Sequence, residues 1–136
     1  MKTIQGYLTF NGYCRSAMEF YCHCLGGELK IQKVGESPLA ERMPESMKDL
    51  VLHATLTNGD MQLMGSDMVP ESGLLNGNNV SLILNCSNED ELKSVYDKLS
   101  DGGYKDHPLE ISFFGSLFGD LTDKFGNHWL LNCPLK

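Results

Sequence analysis

His53 stands in the alternating run Val51 to Thr57 (VLHATLT), and an imidazole there can donate to a ligand or take a proton near neutral pH. The same ring can equally be a hydrogen-bonded structural group that holds a sheet edge. His128, beside Trp129, admits the same two uses; alternation sends these neighbours to opposite faces, so only one of them can line a cleft. His107 precedes Pro108 in what reads as a loop, and His23 lies on a helix, so both are expected in solvent. Five cysteines occur, Cys14, Cys22, Cys24, Cys86 and Cys133. Cys22-His23-Cys24 has the look of a metal fragment, but residues two apart on a helix point about 200° apart and cannot share an ion. No second Cys/His pair at zinc-like spacing completes a site. An odd cysteine count with no secretory signal points to reduced thiols. Cys14 falls where a helix N-terminus would lower a thiol pKa, yet no base is evident nearby, and an inert thiol is the alternative.

The remaining candidates are apolar or isolated. Phe113-Phe114-Gly115 and Phe118-Gly119 could form a lid over a ligand, pack across a dimer interface or fill the core. They are no phosphate loop, because no strand leads into a helix there and Lys-Ser/Thr is missing. Met43, Met47, Met61, Met64 and Met68 could adapt to a flat ligand or fill gaps. Glu110 is the one carboxylate expected near a cleft.

Alternation over 4–10 predicts a first strand, broken by Asn11-Gly12. Residues 14–25 carry a helical stripe, Ala17, Met18, Phe20, Tyr21, Cys24 and Leu25, stopped by Gly26-Gly27. Glu28 to Val34 alternates again, and the stretch to Asp49 is a polar loop or lid. Val51 to Thr57 and Asp60 to Ser66 flank Asn58-Gly59, a hairpin signal for a type I′ turn. With Thr57 facing Asp60, Thr55 opposes Gln62 and His53 opposes Met64 on one face. Leu52, Ala54, Leu56, Met61 and Leu63 then form the apolar face that meets helices. The second half repeats this order: a strand at Val80 to Cys86 and a helix opened by Ser87 with Asp90 three residues on. Its face is Leu92, Val95, Tyr96 and Leu99, with Gly102-Gly103 as stop. Strands follow near 104–107, 117–122 and 128–133.

The chain has 136 residues, 41% of them apolar and 21% charged, enough for a packed interior. A net charge of -7 repels phosphate backbones, and the scattered lysines make no basic patch, which argues against nucleic acid. No apolar run approaches a membrane span, and the start is no signal peptide, so a cytoplasmic protein is expected. An offset of 75 carries Phe20 to Val95, Tyr21 to Tyr96, Cys24 to Leu99 and Gly27 to Gly102. One βαβββ unit would bury too little of its sheet, so the expected fold is an α+β duplication. It comprises two tandem βαβββ modules, about 1–68 and 79–136, within one domain. Their curled mixed sheets surround a concave cleft, with the helices outside.

This duplication, with Tyr7-Leu8-Thr9-Phe10-Asn11-Gly12, Ala17-Met18-Glu19-Phe20-Tyr21, Gly26-Gly27, His53-Ala54, Ser66-Asp67, Phe114-Gly115, Leu121-Thr122-Asp123-Lys124-Phe125-Gly126 and Trp129, resembles the vicinal oxygen chelate superfamily. That superfamily holds glyoxalase I, bleomycin-resistance proteins and extradiol dioxygenases. The branch resembled is the PhnB-like one, often labelled 3-demethylubiquinone methyltransferase-like. It usually has tryptophan at Phe114 and often glutamine at Glu110.

The resemblance implies homodimers. It also implies, in active members, a divalent ion held by His, Glu or Gln on the first and last strands of each module. Here the first strands offer Gln5 and Ser81, and the last strands Gln62–Met64 and Trp129–Leu131. No carboxylate stands among them, so no metal and no other cofactor is expected. The implied function is a metal-free binding protein whose cleft, lined by Gln5, Tyr7, His53, Gln62 and Phe114, holds a small molecule. Resistance proteins of the superfamily act by such sequestration. The alternative is a metal-dependent lyase, isomerase or dioxygenase with an unusual ion site around His53. The methyltransferase label finds no glycine-rich turn opening a helix after a parallel strand.

Overall fold

Residues 1–135 are described in the computed structural model. Contacts divide them into two compact units, Met1–Leu75 and a second from Asn76 onward. The first unit runs β1 (Gly6–Thr9), α1 (Cys14–Leu25), β2 (Glu28–Lys33), three short 3-10 turns, β3 (Val51–Asn58) and β4 (Met61–Ser66). Its sheet has the order β1-β4-β3-β2, with β1 parallel to β4 and the other pairs antiparallel. One face of the sheet meets α1. There Ala17, Met18 and Tyr21 of the helix are buried, as are Ala54, Leu56 and Leu63 of the strands. Helix and sheet approach closely at Gly65, where an added Cβ would lie 3.1 Å from the Met18 sulfur and 3.2 Å from the Phe10 ring.

The Tyr13 side chain, at the N-cap position, makes no capping bond to the start of α1. A residue far along the chain supplies the acceptor instead. Asp67, just past β4 and only 5% exposed, accepts the Gly12 and Cys14 N–H groups on Oδ1, at 3.0 and 2.9 Å. Its Oδ2 accepts the Val51 N–H at 2.9 Å, and its own N–H donates to the Val51 carbonyl. One carboxylate therefore joins the helix start, the β3 start and the β4 end, and its charge suits the positive end of the helix.

The second unit repeats the plan with β5 (Leu82–Asn85), α2 (Glu89–Ser100), β6 (Tyr104–Ile111), β7 (Ser116–Thr122) and β8 (His128–Pro134), in the order β5-β8-β7-β6. The expected doubled βαβββ order is present, and Cys14 and Glu89 open helices of 12 residues each at the offset of the repeat. Capping differs between the two. Asn88, one residue later than the expected Ser87, caps α2 by accepting the Glu91 N–H at 3.1 Å. Asp123, 2% exposed, accepts the Phe125 and Asn127 N–H groups and the Trp129 indole N–H.

Two further expectations need correction. The β3–β4 turn is Gly59-Asp60 rather than Asn58-Gly59, and only Gly59 has positive φ, so it is not type I′. Asn58 is kept in the strand because its amide donates to the Leu25 carbonyl at 3.0 Å. Thr57 therefore pairs with Gln62 and Thr55 with Met64, two residues from the expected register, and the faces are unchanged. The strand expected near 104–107 runs on to Ile111, so His107 lies in β6 and not in a loop. Pro108 is tolerated there because β6 is the sheet edge.

Gly27 has φ +108, and a side chain on it would fall on the Thr57 carbonyl. Gly27→Ala should therefore cost more than about 1 kcal/mol. Asp67→Ala, which strands three backbone donors, should cost about 3 kcal/mol. Urea unfolding monitored by circular dichroism measures both; an unchanged midpoint for Asp67→Ala would remove its structural role.

Candidate functional site

With one face of the first sheet given to α1, the alternation of β3 and β4 puts His53, Thr55, Thr57, Gln62 and Met64 on the other. Tyr7 joins them by pairing with Met64, and Lys30 by pairing with Thr55. The Tyr7 hydroxyl lies 3.2 Å from His53 Nδ1, and the Thr55 hydroxyl 3.0 Å from His53 Nε2. The Tyr7 and His53 rings are tilted at 32° with centroids 5.6 Å apart. Each ring nitrogen thus meets a hydroxyl that can donate or accept, so a neutral imidazole is satisfied at both edges. The two hydroxyls together hold the imidazole in one position on this face.

Of the expected site residues, the structure brings Tyr7 and His53 into direct contact and sets half-buried Gln62 on the same sheet face. Gln5 lies ahead of β1 and is exposed. Phe114 belongs to the second unit, in the β6–β7 turn, where it meets Phe118 and Phe113 edge-on at 5.7 and 5.3 Å. Thr55 was missed as a site residue, although its two-residue spacing from His53 was the available signal.

The free face of the second sheet carries Ile83, Phe118, Asp120, Thr122, His128, Leu130 and Asn132, while Leu121, Trp129 and Leu131 are buried on the α2 side. Of the adjacent pair, His128 thus takes the free face, because Trp129 is drawn inward to Asp123. His107 Nδ1 lies 2.8 Å from Asp120 Oδ1, and a pocket of about 230 Å³ beside them is lined by Glu110 and Phe118 among others.

These surfaces do not fit the superfamily's divalent ion. The free-face positions of the first and last strands are Tyr7, Thr9, Gln62, Met64 and Ser66 in one unit, and Ile83, Asn85, His128, Leu130 and Asn132 in the other. They include one imidazole and no carboxylate, a donor set too poor for a dication. Among the described residues no group of three or more His, Cys, Asp or Glu side chains is placed to hold a metal ion. The helix starts do not suit an anionic cofactor either. Asp67 already occupies the N–H groups at α1, and Glu89, Asp90 and Glu91 fill the first turn of α2.

Two of the thiols are held in the protonated form. Burial, reinforced by the Asp67 charge, pushes Cys14 up to about 12, overriding the helix-start effect expected from sequence. Burial likewise pushes Cys86 up to about 11. None of the five cysteines is in a disulfide, and only Cys22 is even partly exposed. Neither helix is long and apolar enough to cross a membrane.

The family model described as 3-demethylubiquinone-9 3-methyltransferase matches residues 2–132. A crystal structure of protein PA1353 from Pseudomonas aeruginosa is 35% identical, with full coverage of both chains and a TM-score of 0.88. A putative 3-demethylubiquinone-9 3-methyltransferase, PhnB protein, from Bacillus cereus is 27% identical over 97% of this chain and 99% of its own, with a TM-score of 0.73. The bleomycin resistance determinant encoded on transposon Tn5 shares the fold at 16% identity and a TM-score of 0.57, with both chains fully covered.

Iodoacetamide at pH 8 should label Cys22 and spare Cys14 and Cys86, as read by peptide mass spectrometry of the native protein. Labelling of the latter two should begin only as pH rises well above 9, toward their raised values. Rapid alkylation of Cys14 at neutral pH would contradict the burial argument.

Proposed function

We propose, for a chain that belongs to the 3-demethylubiquinone-9 3-methyltransferase family, the PhnB-like branch of the vicinal oxygen chelate superfamily, that it is a metal-free small-molecule-binding protein. The binding surface is the free face of the first sheet. The observation that carries this reading is the clasp of His53 by Tyr7 and Thr55. Hydrogen bonds at both edges fix the imidazole, and a fixed polar group gives specificity without the entropy cost of ordering it on binding. Beside it, the Tyr7 ring is 50% exposed and offers a flat apolar surface. Gln62 supplies an amide that can both donate and accept. The ligand that suits this surface is a small, flat organic molecule with at least one polar edge. Gln5, just ahead of β1, completes the proposed lining.

The two units serve as modules of one glyoxalase-like domain, and the active species is a homodimer. Phe113 is 101% exposed and Ile111 73%, an apolar tip that a second copy would cover. Five cysteines without a disulfide suit the reducing cytoplasm.

Native mass spectrometry of untagged protein, purified without chelator, tests the reading first. A dimer carrying an organic mass and no metal is the expected result, whereas stoichiometric metal would overturn it. The double variant Tyr7→Phe, Thr55→Val, which frees the imidazole, should weaken capture of that molecule about tenfold, one hydrogen bond's worth. Phe113→Glu should shift sedimentation toward monomer while the melting temperature of the monomer is kept; an unchanged dimer would place the interface elsewhere.

A further inference from the structure

The second histidine that faces away from its helix is wired differently from the first. The Thr122 hydroxyl donates to Asp106 Oδ2 at 2.7 Å and lies 3.0 Å from His128 Nδ1. An ionised carboxylate can only accept, and a hydroxyl has one hydrogen to give. Thr122 spends that hydrogen on Asp106, so toward His128 its oxygen must accept. The Nδ1 atom of His128 therefore carries the ring proton in the neutral form, and Nε2 keeps its lone pair. No hydrogen bond engages Nε2 among the described residues, in contrast to His53, where both nitrogens are taken.

The surroundings of His128 define what this lone pair could meet. Leu130, two residues on, shares the face about 7 Å along β8. Leu130 pairs with Ile83, which is 54% exposed, and Phe118 stands half-buried opposite Asn132. The Asn132 amide is turned to its neighbour, its Nδ2 donating to Asn85 Oδ1 at 3.0 Å. Asp106 and Asp120 lie at this face, and its positions on β5, β7 and β8 include no lysine or arginine. Acceptors outnumber donors here, next to an apolar floor.

We propose that Asp106, Thr122 and His128 form a relay that locks the His128 tautomer and makes Nε2 the acceptor of a second binding site. Its ligand is an uncharged or cationic aromatic compound bearing an O–H or N–H donor. The donor bonds Nε2 while the ring lies against Leu130 and Ile83, and the nearby carboxylates disfavour anions. This proposal does not rest on the reading of the first sheet.

The test is a long-range proton–nitrogen spectrum of the histidine rings in the full chain at pH 8, with His128 assigned through His128→Gln. The Nδ1–H tautomer is expected for His128. Phenol should move its Nε2 resonance, and anisole, the same ring without the donor, should not. Thr122→Val should mix the tautomers and weaken the phenol response several-fold, with the backbone amide spectrum elsewhere unchanged as the check on folding. A dominant Nε2–H tautomer in the unmodified chain would overturn the proposal, as would phenol without effect or phenol and anisole acting alike. His53 is read in the same spectrum, so failure at one site is distinguished from failure at the other.

Discussion

The buried carboxylate of Asp67 is the constraint on which the first unit turns. A helix start, a strand start and a strand end arrive together with unsatisfied backbone groups, and two oxygens settle three of them. Because these groups lie 16 to 55 residues from Asp67 along the chain, the bonds fix tertiary placement as well as local conformation. It sets where β3 begins, and thereby which side chains of β3 alternate toward α1 and which toward the free face. His53 and Thr55 owe their exposure to that phase. The same carboxylate removes the helix start from the list of places where an anionic group could dock.

The second unit solves the equivalent problem locally. Asn88 caps α2 from the adjacent residue, so no distant acid is needed at that helix. Its buried carboxylate, Asp123, works at the β7–β8 turn instead and holds Trp129 inward. That inward pull is what leaves His128 on the free face. Two halves with one plan thus present different chemistry: an imidazole satisfied at both edges in one, and an imidazole satisfied at one edge in the other.

Much of this was legible in the residues. Alternation and helical spacing marked all eight strands and both helices, and the Phe20–Val95 and Tyr21–Tyr96 correspondence marked the duplication. Strand parity gave the face of His53, and the family resemblance set Tyr7 in the same cleft. Strand parity is insensitive to a register error of two, so the faces survived the misplacement of the Asn58-Gly59 turn. What escaped notice depended on long-range bonds. Asn58 stays extended because of a carbonyl at the end of α1, and Cys14 is inert because Asp67 and the core surround it. Neither partner is near in sequence, and local pattern carries no trace of them. The Thr122–Asp106 bond bridges neighbouring strands across an irregular register and was hidden for the same reason.

The irregularity of β6 has a consequence for self-association. An uninterrupted edge strand offers a row of free N–H and C=O groups on which another chain can polymerise. Here Pro108 withholds one donor, and the register slips on both sides of His107 break the row into fragments. Lateral strand-upon-strand growth from this edge is thereby frustrated, even though apolar side chains stand exposed at its tip. Copies of this unit can meet through side chains at that tip without the backbone seeding a fibre.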